Sequence, residues 1–156
     1  MWREEYSLEI DTTKEIIWSL WADVRNWNKW NIGVEYSNLN GNFKNGTYGS
    51  VKTSNWSKAL FLSFELKNCI ENKSFIKRIK LPLCVIDFGH ELIDEDQKLT
   101  LKHYIKIYGP LAFYYKKKIG YYAARCLPLS VKKLVNLVRK TGSADTPKDQ
   151  DKSKAD

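Results

Sequence analysis

The sequence predicts an α+β domain in which a curved, seven-stranded antiparallel sheet wraps around a long C-terminal helix, with two short helices after the first strand. Three observations predict it. Apolar and polar residues alternate with period two over residues 4–10 and again, between turn signals, over 34–108. At Gly109-Pro110 the period changes to 3.6 and holds to about Lys140. Between the first strand and the rest of the sheet, Trp18, Trp21, Trp27 and Trp30 are crowded into IIWSLWADVRNWNKWN. Each buried tryptophan removes on the order of 200 Å² from water, so the short helices that carry them must cover something large.

In the first strand Tyr6, Leu8 and Ile10 share one face and Glu5, Ser7 and Glu9 the other. Thr12-Thr13-Lys14-Glu15 then has the form of a capping box with Thr12 as the cap, and Ile16, Ile17, Leu20 and Trp21 follow at helical spacing. Asp23 is expected to cap a second short helix through about Trp30, which Asn31-Ile32-Gly33 ends. On these helices Trp21 and Trp27 are expected in the core, and Trp30, beside Gly33, at an entrance.

Six further strands are read at 34–40, 47–55, 58–69, 74–81, 84–93 and 98–108, separated by signals such as Asn45-Gly46 and Glu71-Asn72-Lys73. Leu60, Leu62, Phe64 and Leu66 form one inner face; Leu99, Leu101, His103, Ile105 and Ile107 form another, with Lys102, Tyr104 and Lys106 outward. Pro82 marks a bend or an edge. The last helix has a predicted inner stripe of Leu111, Tyr115, Ile119, Tyr122, Cys126, Leu129, Leu134 and Val138, interrupted by Pro128. Residues 141–156 contain no large apolar side chain and read as a disordered polar tail, leaving 1–140 as the single domain.

Composition bounds the function. A chain of 156 residues suits one core. No run approaches the roughly 18 apolar residues of a membrane span, and the N-terminus alternates where a signal peptide would not, which predicts a cytoplasmic protein. Cys69, Cys84 and Cys126 are odd in number and have no metal-ligand spacing, so they are expected as reduced thiols. The net charge of +8 invites a polyanion partner. The lysines are scattered, however, and the one dense run, Lys116-Lys117-Lys118, leads straight into apolar residues, so no specific nucleic acid is expected.

The order of these elements, with Ile10-Asp11 before the first helix, Asp23 followed by Trp27 and Trp30, Gly41-Asn42-Phe43 with Gly46-Thr47, and Tyr108-Gly109-Pro110 opening the last helix, resembles the START-like helix-grip (SRPBCC) superfamily. Within it the chain looks most like the polyketide cyclase/dehydrase branch. The resemblance covers about residues 3–140. It implies an elongated cavity between sheet and long helix that holds a hydrophobic or amphipathic small molecule, such as a lipid or a polyketide-like aromatic. The ligand-contacting set expected around that cavity is Trp30, Tyr36, Leu62, Phe64, Phe88, His90, Leu101, His103, Ile119, Tyr122 and Cys126. Tyr114-Tyr115 and Tyr121-Tyr122 leave two readings open, one hydroxyl of each pair in the cavity or the rings in the core with the hydroxyl at the rim.

Two further readings stay open. The only histidines, His90 and His103, fall on adjacent strands with inward parity; neutral imidazoles there, with a tyrosine, suit the acid/base work of a cyclase or dehydratase. A histidine on an apolar strand face more often makes a core hydrogen bond to a neighbouring backbone group or tyrosine, and that is the stronger reading. A metal would need a third ligand, and Glu65 and Glu91 have outward parity, so none is expected. Ser63 and Cys126 have no nucleophile's partner in the spacing, and Gly46-Thr47-Tyr48-Gly49-Ser50 sits between strands, a hairpin turn rather than a phosphate loop. No cofactor is implied. The second reading is a basic module that docks on anionic membrane through the lysine-rich side of the last helix. The oligomeric state is not legible.

Overall fold

In the computed structural model, residues 1–54 and 60–144 are described. Strand β1 (Trp2–Ile10) leads into helix α1 (Lys14–Ala22) and a 3₁₀ helix (Val24–Lys29). Six strands follow: β2 (Val34–Leu39), β3 (Tyr48–Thr53), β4 (Phe61–Ile70), β5 (Ser74–Leu81), β6 (Cys84–Glu95) and β7 (Lys98–Tyr108). The C-terminal helix comes in three pieces, one turn α2 (Ala112–Tyr115), a π-helical turn (Lys116–Gly120) and α3 (Tyr121–Ala144). The sheet is antiparallel, open, and ordered β1-β7-β6-β5-β4-β3-β2. This is the α+β architecture that the alternation and the late change of period predict. The expected tail begins too early, since α3 runs to Ala144; residues 145–156 of that tail lie outside the described residues, as do 55–59 between β3 and β4.

The turn chemistry explains the connections. α1 is capped by Thr13, whose hydroxyl accepts from the Ile16 N–H at 3.4 Å, and not by Thr12. Thr13 has the extended backbone (φ −97°, ψ 152°) that a cap residue needs. The Asp23 side chain makes no cap bond to the backbone of the 3₁₀ helix. Its carboxylate accepts from the Asn26 side chain at 2.7 Å, and only its carbonyl serves the turn, from the Asn26 N–H. Gly109 has φ +115°, and a Cβ there would lie 2.7 Å from the Leu83 carbonyl oxygen. Only glycine lets β7 turn across the β5–β6 hairpin into the last helix.

The core lies between the concave face of the sheet and the helices. Trp21, Trp27 and Trp30 are each at most 1% exposed, and with Phe64, Phe75 and Leu101 they fill the space beneath the sheet. The C-terminal part of α3 brings Val131, Leu134, Val135 and Val138 to the same core. Leu129, expected on the inner stripe, is exposed. With Leu127, Val131 and Leu134 inward, a residue two positions from Leu127 is turned by roughly 200° at 100° per residue, and Ser130 takes the buried place instead. Leu60 is likewise exposed, because β4 begins only at Phe61.

Candidate functional site: a lysine and two histidines in an apolar cavity

A cavity lies between the sheet and the last helix, with about 760 Å³ of atom-free space counted out into the solvent at its mouth. β3, β4, β5 and β6 supply its apolar floor through Val51, Leu62, Ile79, Ile86 and Phe88. The π-helical turn and α3 supply the roof, through Ile119, Tyr122, Ala123, Cys126, Leu127 and Ser130. The roof is possible because Gly120 lets the helix sit on Trp2: a Cβ there would be 2.7 Å from the indole ring. Pro128 divides the helix, and its missing N–H leaves the Ala124 carbonyl without a helical donor just where the roof passes into the packed core. Ser130 ties the roof to the loop before β2, its hydroxyl accepting from the Ile32 N–H at 3.1 Å.

Of the residues expected to contact a ligand, Leu62, Phe88, His90, His103, Ile119, Tyr122 and Cys126 line this space. Phe64 and Leu101 are buried in the core without reaching it. Tyr36 is 54% exposed and does not line it. A register shift between Val34 and Tyr36 reverses the parity of β2, so Ser37 turns inward and donates to the Val24 carbonyl. Trp30 stands at no entrance. As the residue that caps the C-terminal end of the 3₁₀ helix, it is held by a backbone bond to the Trp27 carbonyl, with its ring 6.0 Å from His90 and 5.7 Å from His103. Of the tyrosine pairs, only Tyr122 reaches the cavity, while Tyr114 and Tyr121 face solvent.

The histidines do meet. His90 and His103 are register partners, with centroids 4.4 Å apart; His90 stacks on Phe75 at 4.1 Å, and Trp21 closes on both rings. His90 Nδ1 and His103 Nε2 are buried with no hydrogen-bond partner among the described residues. Burial pulls the His103 pKa down to about 3, and burial first, then the neighbouring His103 and Lys77, takes His90 well below its ordinary value. Both are therefore neutral at pH 7. An imidazole whose conjugate acid has a pKa near 3 is a weak proton acceptor. The Cys126 thiol is raised by burial, which removes the thiolate a nucleophile would need.

The residue that sequence reasoning missed is Lys77. It sits at 4% exposure on the inner face of β5, between Phe75 and Ile79 and opposite Phe88, and it lines the cavity. Burial lowers its pKa to about 8. The signal was in the alternation: in SFIKRIKL, Phe75, Lys77 and Ile79 share parity, and a lysine interrupts an otherwise apolar face. Among the described residues, no group of three or more His, Cys, Asp or Glu side chains is placed to hold a metal ion, and no helix is long and apolar enough to cross a membrane.

No family model and no curated protein matches the sequence. The fold, by contrast, is widely shared. A START superfamily protein from Mycobacterium smegmatis superposes with a TM-score of 0.65 at 12% identity, over 89% of this chain and 98% of that one. Ara h 8.0201 does so at 0.62 and 11%, over 89% and 98%, and TTHA0849 from Thermus thermophilus at 0.69 and 10%, over 92% and 99%. At such identities the likeness is one of fold, and the chain has the START-like helix-grip fold.

Proposed function

We propose that this protein binds a hydrophobic or amphipathic small molecule, such as a lipid or a polyketide-like aromatic, non-covalently in the cavity beneath its long helix. The observation that carries the reading is an unfilled space whose walls are mostly aliphatic and aromatic, with a few buried polar side chains aimed inward. Interiors are ordinarily close-packed, so such a space is retained for an occupant. The START superfamily protein and Ara h 8.0201 have the same fold, which makes a ligand cavity between sheet and helix the natural expectation. The cyclase or dehydratase alternative is weaker, because the two imidazoles it relies on are poor bases at neutral pH. Native mass spectrometry of protein purified from its own host, with thermal shift against a lipid and aromatic panel, tests the reading. A bound small molecule and stabilisation by one chemical class are expected. A bare mass with no stabilisation would sink it.

One surface favours a second, compatible role at a membrane. Leu83 and Phe113 are about two-thirds exposed at the end where the Leu83 carbonyl accepts from the Leu111 N–H, and Lys116, Lys117 and Lys118 follow. Leu83 has φ +54°, a left-handed conformation that leucine adopts only at a cost. Apolar side chains beside a lysine run suit transient contact with an anionic bilayer, for pick-up or delivery of the ligand. Sedimentation with phosphatidylserine vesicles should weaken with salt, and in Phe113→Ser. Retention indifferent to both would remove this role.

A further inference from the structure

We propose that Lys77 anchors the head group of the ligand, and that the ligand is therefore a monocarboxylate with an apolar body. This rests on the cavity being a ligand site. The side chain of Lys77 enters the interior from the middle of the sheet, and its Nζ lies 4.4 Å from the ring centroid of Phe88 and 5.6 Å from that of Trp27. Two aromatic faces thus stand where water or a carboxylate would otherwise be. Among the described residues no acidic side chain lies within 4.0 Å of it, whereas Lys52, Lys67, Lys80, Lys98 and Lys102 each have one.

An enclosed ammonium without a counter-ion is costly, and cation–π contacts return only part of the lost hydration. The free protein carries this cost in the cavity that Lys77 lines. At pH 7 the amine is mostly protonated, its pKa of about 8 being below that of a free lysine but above neutrality. A ligand carboxylate would complete the pair with a charge-assisted hydrogen bond while its body covers the apolar walls. The charge that fits is a single one. His90 and His103 are neutral, so a dianionic phosphate would bring in a second negative charge, and among the described lining residues there is no second cation to meet it. An alcohol or ester would leave the ammonium unpaired.

Isothermal titration with decanoic acid, decan-1-ol and methyl decanoate, and with naphthalene-2-carboxylic acid and 2-naphthylmethanol, tests this in the wild-type chain and in Lys77→Met. At pH 7 at least one acid should bind tenfold or more tightly than its neutral analogue. In Lys77→Met that preference should vanish while the neutral compounds still bind. At pH 8.5, titrations in two buffers of different ionisation enthalpy should reveal proton uptake by the wild type, because a carboxylate raises the lysine pKa; this readout needs no variant. Equal binding of acids and neutral analogues to the wild type would overturn the anchor and leave the cavity reading intact. Acid preference that survives in Lys77→Met would overturn the role of Lys77. Failure of every compound to bind would overturn both.

Discussion

His90 and His103 face each other across β6 and β7 as direct register partners, their ring centroids 4.4 Å apart and their planes at 69°. Burial keeps both neutral, so acid should act on the fold through them. The unfolded chain takes up a proton on each histidine near pH 6.5, whereas native His103 does so only near pH 3. Between those values the unfolded state binds more protons, and stability falls as pH falls, by up to about 1.4 kcal/mol per pH unit for each histidine. Urea denaturation measured from pH 7 to 4 should show this slope, and His103→Gln should flatten it. A slope unchanged in the variant would mean that other groups govern the acid limit.

On the opposite face of the same strand pair, Gly89 lies beneath Tyr104. A Cβ at position 89 would fall 1.9 Å from the nearest atom of the tyrosine ring, which Arg3 covers from outside with its guanidinium 4.0 Å from the centroid. That cover explains why Tyr104, outward as expected, is nevertheless only 7% exposed. Gly89→Ala must push the ring out, at a cost of about 1–3 kcal/mol. Tyr104→Ala in the same chain should remove the clash, so the double variant should lose less than the sum of the two single changes. Additive losses would show that the ring is not what position 89 must avoid.

The strand register was legible because each inner face repeats an apolar residue every second position, and Leu99, Leu101, Ile105 and Ile107 are buried as that pattern requires. Both histidines turned inward for the same reason. Tyr36 was misplaced because a bulge changes parity without leaving a distinctive residue behind. Lys77 is hidden in the sequence because lysine ordinarily marks a surface position, although its neighbours by parity, Phe75 and Ile79, mark an inner face. Nearness to Gly33 in sequence points Trp30 toward an entrance; the tight 3₁₀ turn instead folds its ring back between Trp27 and the two imidazoles. The π-helical turn has no signal in periodicity, being a single turn within an apolar stripe that continues through it.

Asp87 anchors the outer face. It is buried and accepts from Arg78 Nε and a terminal nitrogen at 2.8 Å each, and from the Tyr108 hydroxyl at 3.2 Å. Hydrogen bonding to Asp87 raises the Arg78 pKa further above its ordinary value. Arg78→Ala leaves a carboxylate buried without its cation and should cost about 3 kcal/mol. Asp87→Asn removes the charge but keeps an acceptor, and the partly exposed Arg78 side chain can draw on water, so its cost should be smaller. Chemical denaturation at pH 7 gives the order. A larger loss for Asp87→Asn would contradict the account.

Trp27 and Trp30 are equally buried, yet their indole N–H groups differ, and the difference predicts unequal mutants. Trp27 Nε1 donates to the Trp21 carbonyl at 2.8 Å. That carbonyl belongs to the last turn of α1, where helical donors run out, so the indole closes the helix end as well as filling the core. Trp30 Nε1 has no hydrogen-bond partner among the described residues. Trp27→Phe should therefore strand a buried carbonyl, at about 1–3 kcal/mol beyond the loss of ring volume. Trp30→Phe loses a similar volume but also removes a buried donor that was already unpaired, so its cost should be smaller by about the same margin. Urea midpoints for the two variants, with an unchanged denaturant slope to confirm comparable unfolding, decide the matter. Equal losses would mean that packing alone, and not the bond to Trp21, fixes the 3₁₀ turn against α1.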